Sequence, residues 1–82
     1  MARFYNYWQI STTIEYSLNQ DTWVTLKIYN ILGEEVATLV DGPVEAGMRS
    51  ANFDASNLSS GNYLYRITAG GFVETKRMLL LK

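Results

Sequence analysis

Apolar and polar residues alternate with a period of two along much of this chain. Thr12, Ile14, Tyr16 and Leu18 share one parity, while Thr13, Glu15 and Ser17 take the other. That spacing predicts a strand with one buried face, because successive side chains of an extended backbone point to opposite sides. Residues 19–22 read as a turn, since Asn and Asp tolerate unusual backbone angles. Val24, Leu26 and Ile28 form the next inward row, with Thr25, Lys27 and Tyr29 opposite. These two segments are expected to pair as an antiparallel hairpin. Gly33 marks a bulge or turn, and a short strand follows over residues 35–40. Glu34, Glu35 and Ala37 are good helix formers, so helix competes over residues 32–39, but strand is the reading adopted. Asp41-Gly42-Pro43 is expected to break that strand, with the single proline where no ladder donor is needed.

Residues 48–54 form a further strand, with Ala51 and Phe53 on one face. Residues 54–61 are small and polar and read as a loop, in which Leu58 tucks back over the core edge. Residues 62–69 place Tyr63, Tyr65 and Ile67 on one face, Gly70-Gly71 reverses the chain, and residues 72–81 form a long last strand. Six or seven strands punctuated by turns every 8–12 residues or so define an all-β, Ig-like or fibronectin-like antiparallel sandwich of about seven strands.

Length and composition narrow the function. The 82 residues suffice for one domain with one core, and 48% are hydrophobic, which argues against disorder. Net charge is −1 and no basic block occurs. Lys76-Arg77 is an exposed pair on a strand rather than a phosphate track, so no nucleic-acid partner is expected. The longest apolar run, residues 78–81, is too short to span a bilayer. The first residues show no apolar h-region, so an export signal is expected elsewhere on a larger parent chain.

Catalytic chemistry is poorly supplied. The chain has neither cysteine nor histidine, which removes Ser-His-Asp and Cys-His arrangements, disulfides and ordinary zinc sites. Glu34 and Glu35 are adjacent and point to opposite faces if extended, so they cannot act as a glycosidase pair. Asp54-Ala55-Ser56-Asn57 has a faint likeness to a calcium loop, but a polar turn is the simpler reading. Asn57-Leu58-Ser59 matches a glycosylation sequon, a short and unspecific pattern. The expectation is therefore a non-enzyme without catalytic, metal or cofactor residues.

Aromatic residues are the remaining asset. Phe4, Tyr5, Tyr7 and Trp8 fall close together outside the clean alternation, and Trp23 follows the first turn. Such side chains offer large contact area at low entropic cost. Residues 1–10 accordingly read as an aromatic segment, either an edge strand packing its rings inward or an interface, ahead of a sandwich over residues 11–82. Aromatic platforms also stack on sugars, but no polar partners for a carbohydrate site can be placed.

Several stretches resemble a known family. They are Ser11-Thr12-Thr13-Ile14-Glu15-Tyr16-Ser17-Leu18, Val24-Thr25-Leu26-Lys27-Ile28-Tyr29-Asn30-Ile31-Leu32-Gly33-Glu34-Glu35-Val36, and Phe53-Asp54-Ala55-Ser56-Asn57-Leu58-Ser59-Ser60-Gly61. With Tyr65-Arg66-Ile67-Thr68-Ala69-Gly70 and the tail from Phe72 to Lys82, they are similar to the type A C-terminal sorting domain of type IX secretion cargo. That family is related in pattern to the Ig-like domain of flagellar hook-capping proteins. The resemblance implies a C-terminal module of a larger exported protein, read by protein components of an outer-membrane translocon and delivered to the surface or medium. It places recognition on Gly61 with its following strand, and on Lys76, Arg77, Met78, Leu79, Leu80, Leu81 and Lys82. A terminal strand with alternate apolar residues suits reading by strand addition.

The chain also departs from that pattern. Asn6-Tyr7-Trp8-Gln9-Ile10 contains no proline where the family carries an Asn-Pro-Phe-Asn-Pro-like run. Met48 stands at an often aromatic position, and Asn62 at a usually β-branched apolar one. Phe4, Tyr5, Tyr7, Trp8, Trp23, Met48 and Asn62 therefore form a candidate interface. The alternative function is an engineered or diverged scaffold that binds a protein partner, or itself, through this aromatic surface.

Overall fold

The computed structural model describes residues 2–5 and 11–80, with side chains from Thr13 to Leu80. Its strands are β1 (Ala2–Tyr5), β2 (Ser11–Leu18), β3 (Thr22–Asn30), β4 (Glu35–Val44), β5 (Gly47–Asp54), β6 (Gly61–Ala69) and β7 (Phe72–Leu80). They form a three-stranded sheet, β1-β2-β5, and a four-stranded sheet, β4-β3-β6-β7, with every pairing antiparallel. The all-β antiparallel sandwich expected from the alternation is the fold observed.

The inward rows meet between the sheets. Ile14 and Tyr16 of β2 and Phe53 of β5 join Val24, Leu26, Ile28, Tyr63, Tyr65, Ile67, Met78 and Leu80 in one buried cluster. Each large aliphatic buried this fully contributes about 1.5–3 kcal/mol. The Asp54–Gly61 connection packs Leu58 against this core, as expected, and buries Ala55 almost completely. Asp54 Oδ1 accepts the Ser56 N–H at 3.0 Å, so its carboxylate builds an Asx turn.

Two expectations are corrected. β2 and β3 do not form a hairpin: β2 pairs with β1 and β5, whereas β3 pairs with β4 and β6. Their apolar rows face each other across the core, so residues 19–21 arch from one sheet to the other. Asp21 ties the arch to the β4–β5 turn by accepting the Ala46 N–H at 2.8 Å. Alternation reveals which face is buried but not which strand lies alongside. Nor does Asp41-Gly42-Pro43 break its strand, because β4 runs on to Val44 with Pro43 opposite Trp23. β4 borders its sheet, where an absent N–H need not interrupt the ladder.

Candidate recognition surface at the end of the last strand

One end of the sandwich gathers the end of β3, the start of β6 and the end of β7. Asn30 lies opposite Tyr63, and Gly61 lies opposite Leu80. β7 is at the border of the four-stranded sheet, and β6 is its one neighbour among the described strands. Its nine residues pair with β6 without a register shift.

From residue 77 on the tail divides by parity, whereas Lys76 shares the parity of Met78 and Leu80 without being buried. Met78 and Leu80 are buried in the core. Lys76, Arg77 and Leu79 are exposed. Lys76 Nζ lies 3.2 Å from Glu74 Oε2, while Glu74 Oε1 is buried without a hydrogen-bond donor among the described residues. The end of β7 thus serves as core strand and solvent-facing strand at once. Leu81 and Lys82 lie outside the described residues.

Gly61 has φ +153°, a region nearly closed to residues with a Cβ, although a Cβ there would meet no atom within 4 Å. Backbone conformation, not crowding, is what calls for glycine at this position.

The candidate interface residues whose side chains are described, Trp23, Met48 and Asn62, do not converge. Trp23 is 59% exposed on the outer face of the four-stranded sheet, where its indole N–H donates to Asp41 Oδ1 at 3.0 Å. Met48 is 68% exposed on β5 of the other sheet, opposite Ser17. Asn62 sits at the far end of β6, opposite Leu79. Phe4 and Tyr5 belong to β1, a border strand on β2. Tyr7 and Trp8 lie outside the described residues.

Alternation did not expose a further feature, the connection between β3 and β4. Ile31 and Leu32 are among the most exposed large apolar residues described, yet they sit in a tightly hydrogen-bonded turn. The Asn30-x-x-Gly33-Glu34 spacing was the available signal, since Asn side chains organise turns through their own backbone.

Charge does little here to prepare chemistry. On β3 and β4, Lys27 Nζ lies 3.2 Å from Glu35 Oε1, and the Thr38 hydroxyl donates to Glu35 Oε2 at 2.6 Å. The Thr38 hydrogen bond, then Lys27, hold the Glu35 carboxyl below its ordinary range. Burial pushes the Tyr65 and Tyr16 phenols up, with Glu74 adding to the rise at Tyr65 and Arg49 opposing it at Tyr16. Among the described residues, no cluster of three or more Asp and Glu side chains could hold a metal ion, and no helix is long and apolar enough to cross a membrane.

The chain is thus a small antiparallel β-sandwich whose last strand is half anchored in the core and half exposed at the border of its sheet. The family model described as the secretion system C-terminal sorting domain matches residues 9–81, and the chain belongs to that family. This is the sorting domain of type IX secretion, carried by secreted or cell-surface cargo as part of a larger protein and recognised by secretion-machinery proteins. Domains of this family are in general non-catalytic. No curated protein matches the chain.

Proposed function

We propose that this domain directs its parent through the type IX pathway by presenting β7 and the residues after it to a protein of the secretion machinery. Gly61 with β6, and Lys76, Arg77, Met78, Leu79, Leu80, Leu81 and Lys82, form the address. The observation that carries this reading is the place of β7 at the border of its sheet. Met78 and Leu80 hold the strand in register while Arg77 and Leu79 face outward, and Lys76 is exposed although it shares the core-facing parity. A strand so placed can be extended by a partner strand, with alternate side chains supplying specificity.

The test fuses the full chain to the C-terminus of a signal-peptide-bearing reporter in a type IX-competent bacterium. Reporter in the medium or on the surface, absent from a translocon mutant, is expected. Reporter held in the periplasm with the domain folded overturns the reading.

A further inference from the structure

The β3–β4 turn is built to stay still. Asn30 Oδ1 accepts the Leu32 N–H at 2.9 Å and the Glu34 N–H at 3.0 Å, and its Nδ2 donates to Glu34 Oε1 at 2.8 Å. Backbone bonds from Gly33 N to Asn30 O and from Asn30 N to Glu34 O, each 3.0 Å, close the loop. Gly33 supplies the φ of +85° that the closure needs. This frame holds Ile31 at 74% and Leu32 at 78% exposure.

Folding does not account for two aliphatic side chains at that position. Neither belongs to the core cluster or to the residues packed against it, and polar residues would serve the turn equally well. Beside them lies a shallow hollow of about 370 Å³, lined by Ile31, Asn62, Tyr63, Leu64 and Arg77. Leu79, opposite Asn62 on β7, is 48% exposed. Arg77 makes no ion pair with any described residue. A rigid apolar tip therefore stands next to a hollow whose one charged wall is a guanidinium without an ion-pair partner among the described residues.

We propose that the Ile31-Leu32 tip and the adjoining Arg77-walled hollow form a second docking surface, fitted to a machinery protein that presents an apolar cleft bordered by a carboxylate. This rests on the sorting reading and deepens it. The partner would hold the domain at a preformed knob as well as at β7. The apolar tip supplies desolvation, a frame already ordered lowers the entropic cost of binding, and Arg77 selects an acidic rim.

The same reporter fusion tests this with the pair Ile31→Ser, Leu32→Ser, which leaves the core and the tail unchanged. Both residues are solvent-exposed, so circular dichroism should show an unaltered fold and melting temperature. Secretion is expected to fall about tenfold, as when central apolar anchors are removed from an interface. The pair Ile31→Leu, Leu32→Met should restore it. Wild-type secretion in the folded Ser pair overturns the knob while leaving the sorting reading intact. Failure of the unmutated fusion removes the sorting reading and the knob with it. If light scattering shows the unmutated chain dimerising and the Ser pair monomeric, the surface belongs to a second copy and the machinery assignment is overturned.

Discussion

β4 and β7 border the same sheet and are built differently. β4 pairs with β3 through two register shifts, at Leu26/Lys27 and Ile28/Tyr29, and carries Gly42 and Pro43 near its end. β7 pairs with β6 through nine residues without interruption. Bulges and proline blunt a border strand against further pairing. β7 lacks both, and its restraint is the pair Glu74 and Lys76 on the core-facing parity, confined to its first half. The final stretch, from Arg77 to Leu80, carries no such device. One border of the sheet is closed off, while the other keeps a regular stretch beside the residues assigned to recognition.

The comparison breaks or sharpens most through packing. Leu80→Ala on β7 should cost about 2–5 kcal/mol, the usual range for a fully buried leucine. Val44→Ala on β4 should cost under about 1.5 kcal/mol, since Val44 is only partly buried and less is removed. Urea denaturation of both variants measures the gap, and equal losses would mean that β4 anchors the sheet as firmly as β7.

Glycine gives the next effect. Gly61→Ala, across the ladder from Leu80, should lose about 1–3 kcal/mol through backbone strain alone. Gly42→Ala on β4 meets no atom within 4 Å and needs no unusual φ, so it should be neutral or gain up to about 1 kcal/mol. Thermal melts of the two variants decide the point.

The smallest effects lie at the extremes of pH, and the two borders respond differently. Glu35 on β4 has its carboxyl lowered in the folded state. It therefore adds stability above the unfolded value near pH 4.3 or so, lost as pH falls through the lower folded value. Tyr65, facing β7, has its phenol raised. Its contribution is complete below about pH 10 and is lost as pH climbs through the folded value, because the unfolded chain releases that proton first. Tyr65→Phe should shallow the alkaline loss and leave the acid one unchanged, whereas Glu35→Gln should shallow the acid loss and also part of the alkaline one, because Glu35 holds the Lys27 ammonium above its ordinary range. Stability measured against pH for the two variants shows whether the limbs separate.

Much of the fold was legible because burial follows parity. Ile14, Tyr16, Val24, Leu26, Ile28, Phe53, Tyr63, Tyr65 and Ile67 all fall on the faces their spacing assigned. Ala55 continues the same period beyond β5 and could have been read as buried. Partnership was not legible, because β2 and β3 have the same pattern whether they pair edge to edge or stack face to face. The continuation of β4 through Pro43 depends on its border position, which is a property of the whole sheet. The tail was legible as a strand, but the division between buried Met78 and Leu80 and exposed Arg77 and Leu79 needed its register on β6. The Ile31-Leu32 tip stayed hidden because an apolar pair in a turn looks the same in sequence whether it folds inward or stands out.

The direction of the first and last strands carries a further consequence. β1 runs from Ala2, opposite Tyr16, to Tyr5, opposite Thr13, while β7 runs from the Gly70-Gly71 reversal to Leu80, opposite Gly61. Both strands head toward the pole that holds Gly61 and the Asn30–Glu34 turn. β7 alone spans about 30 Å at the usual rise of an extended strand. The backbone therefore travels in by one pole and out by the other, like a cable through a bead. A bulky payload tethered ahead of β1 would approach from the far pole, leaving the departing pole clear for whatever takes hold of it.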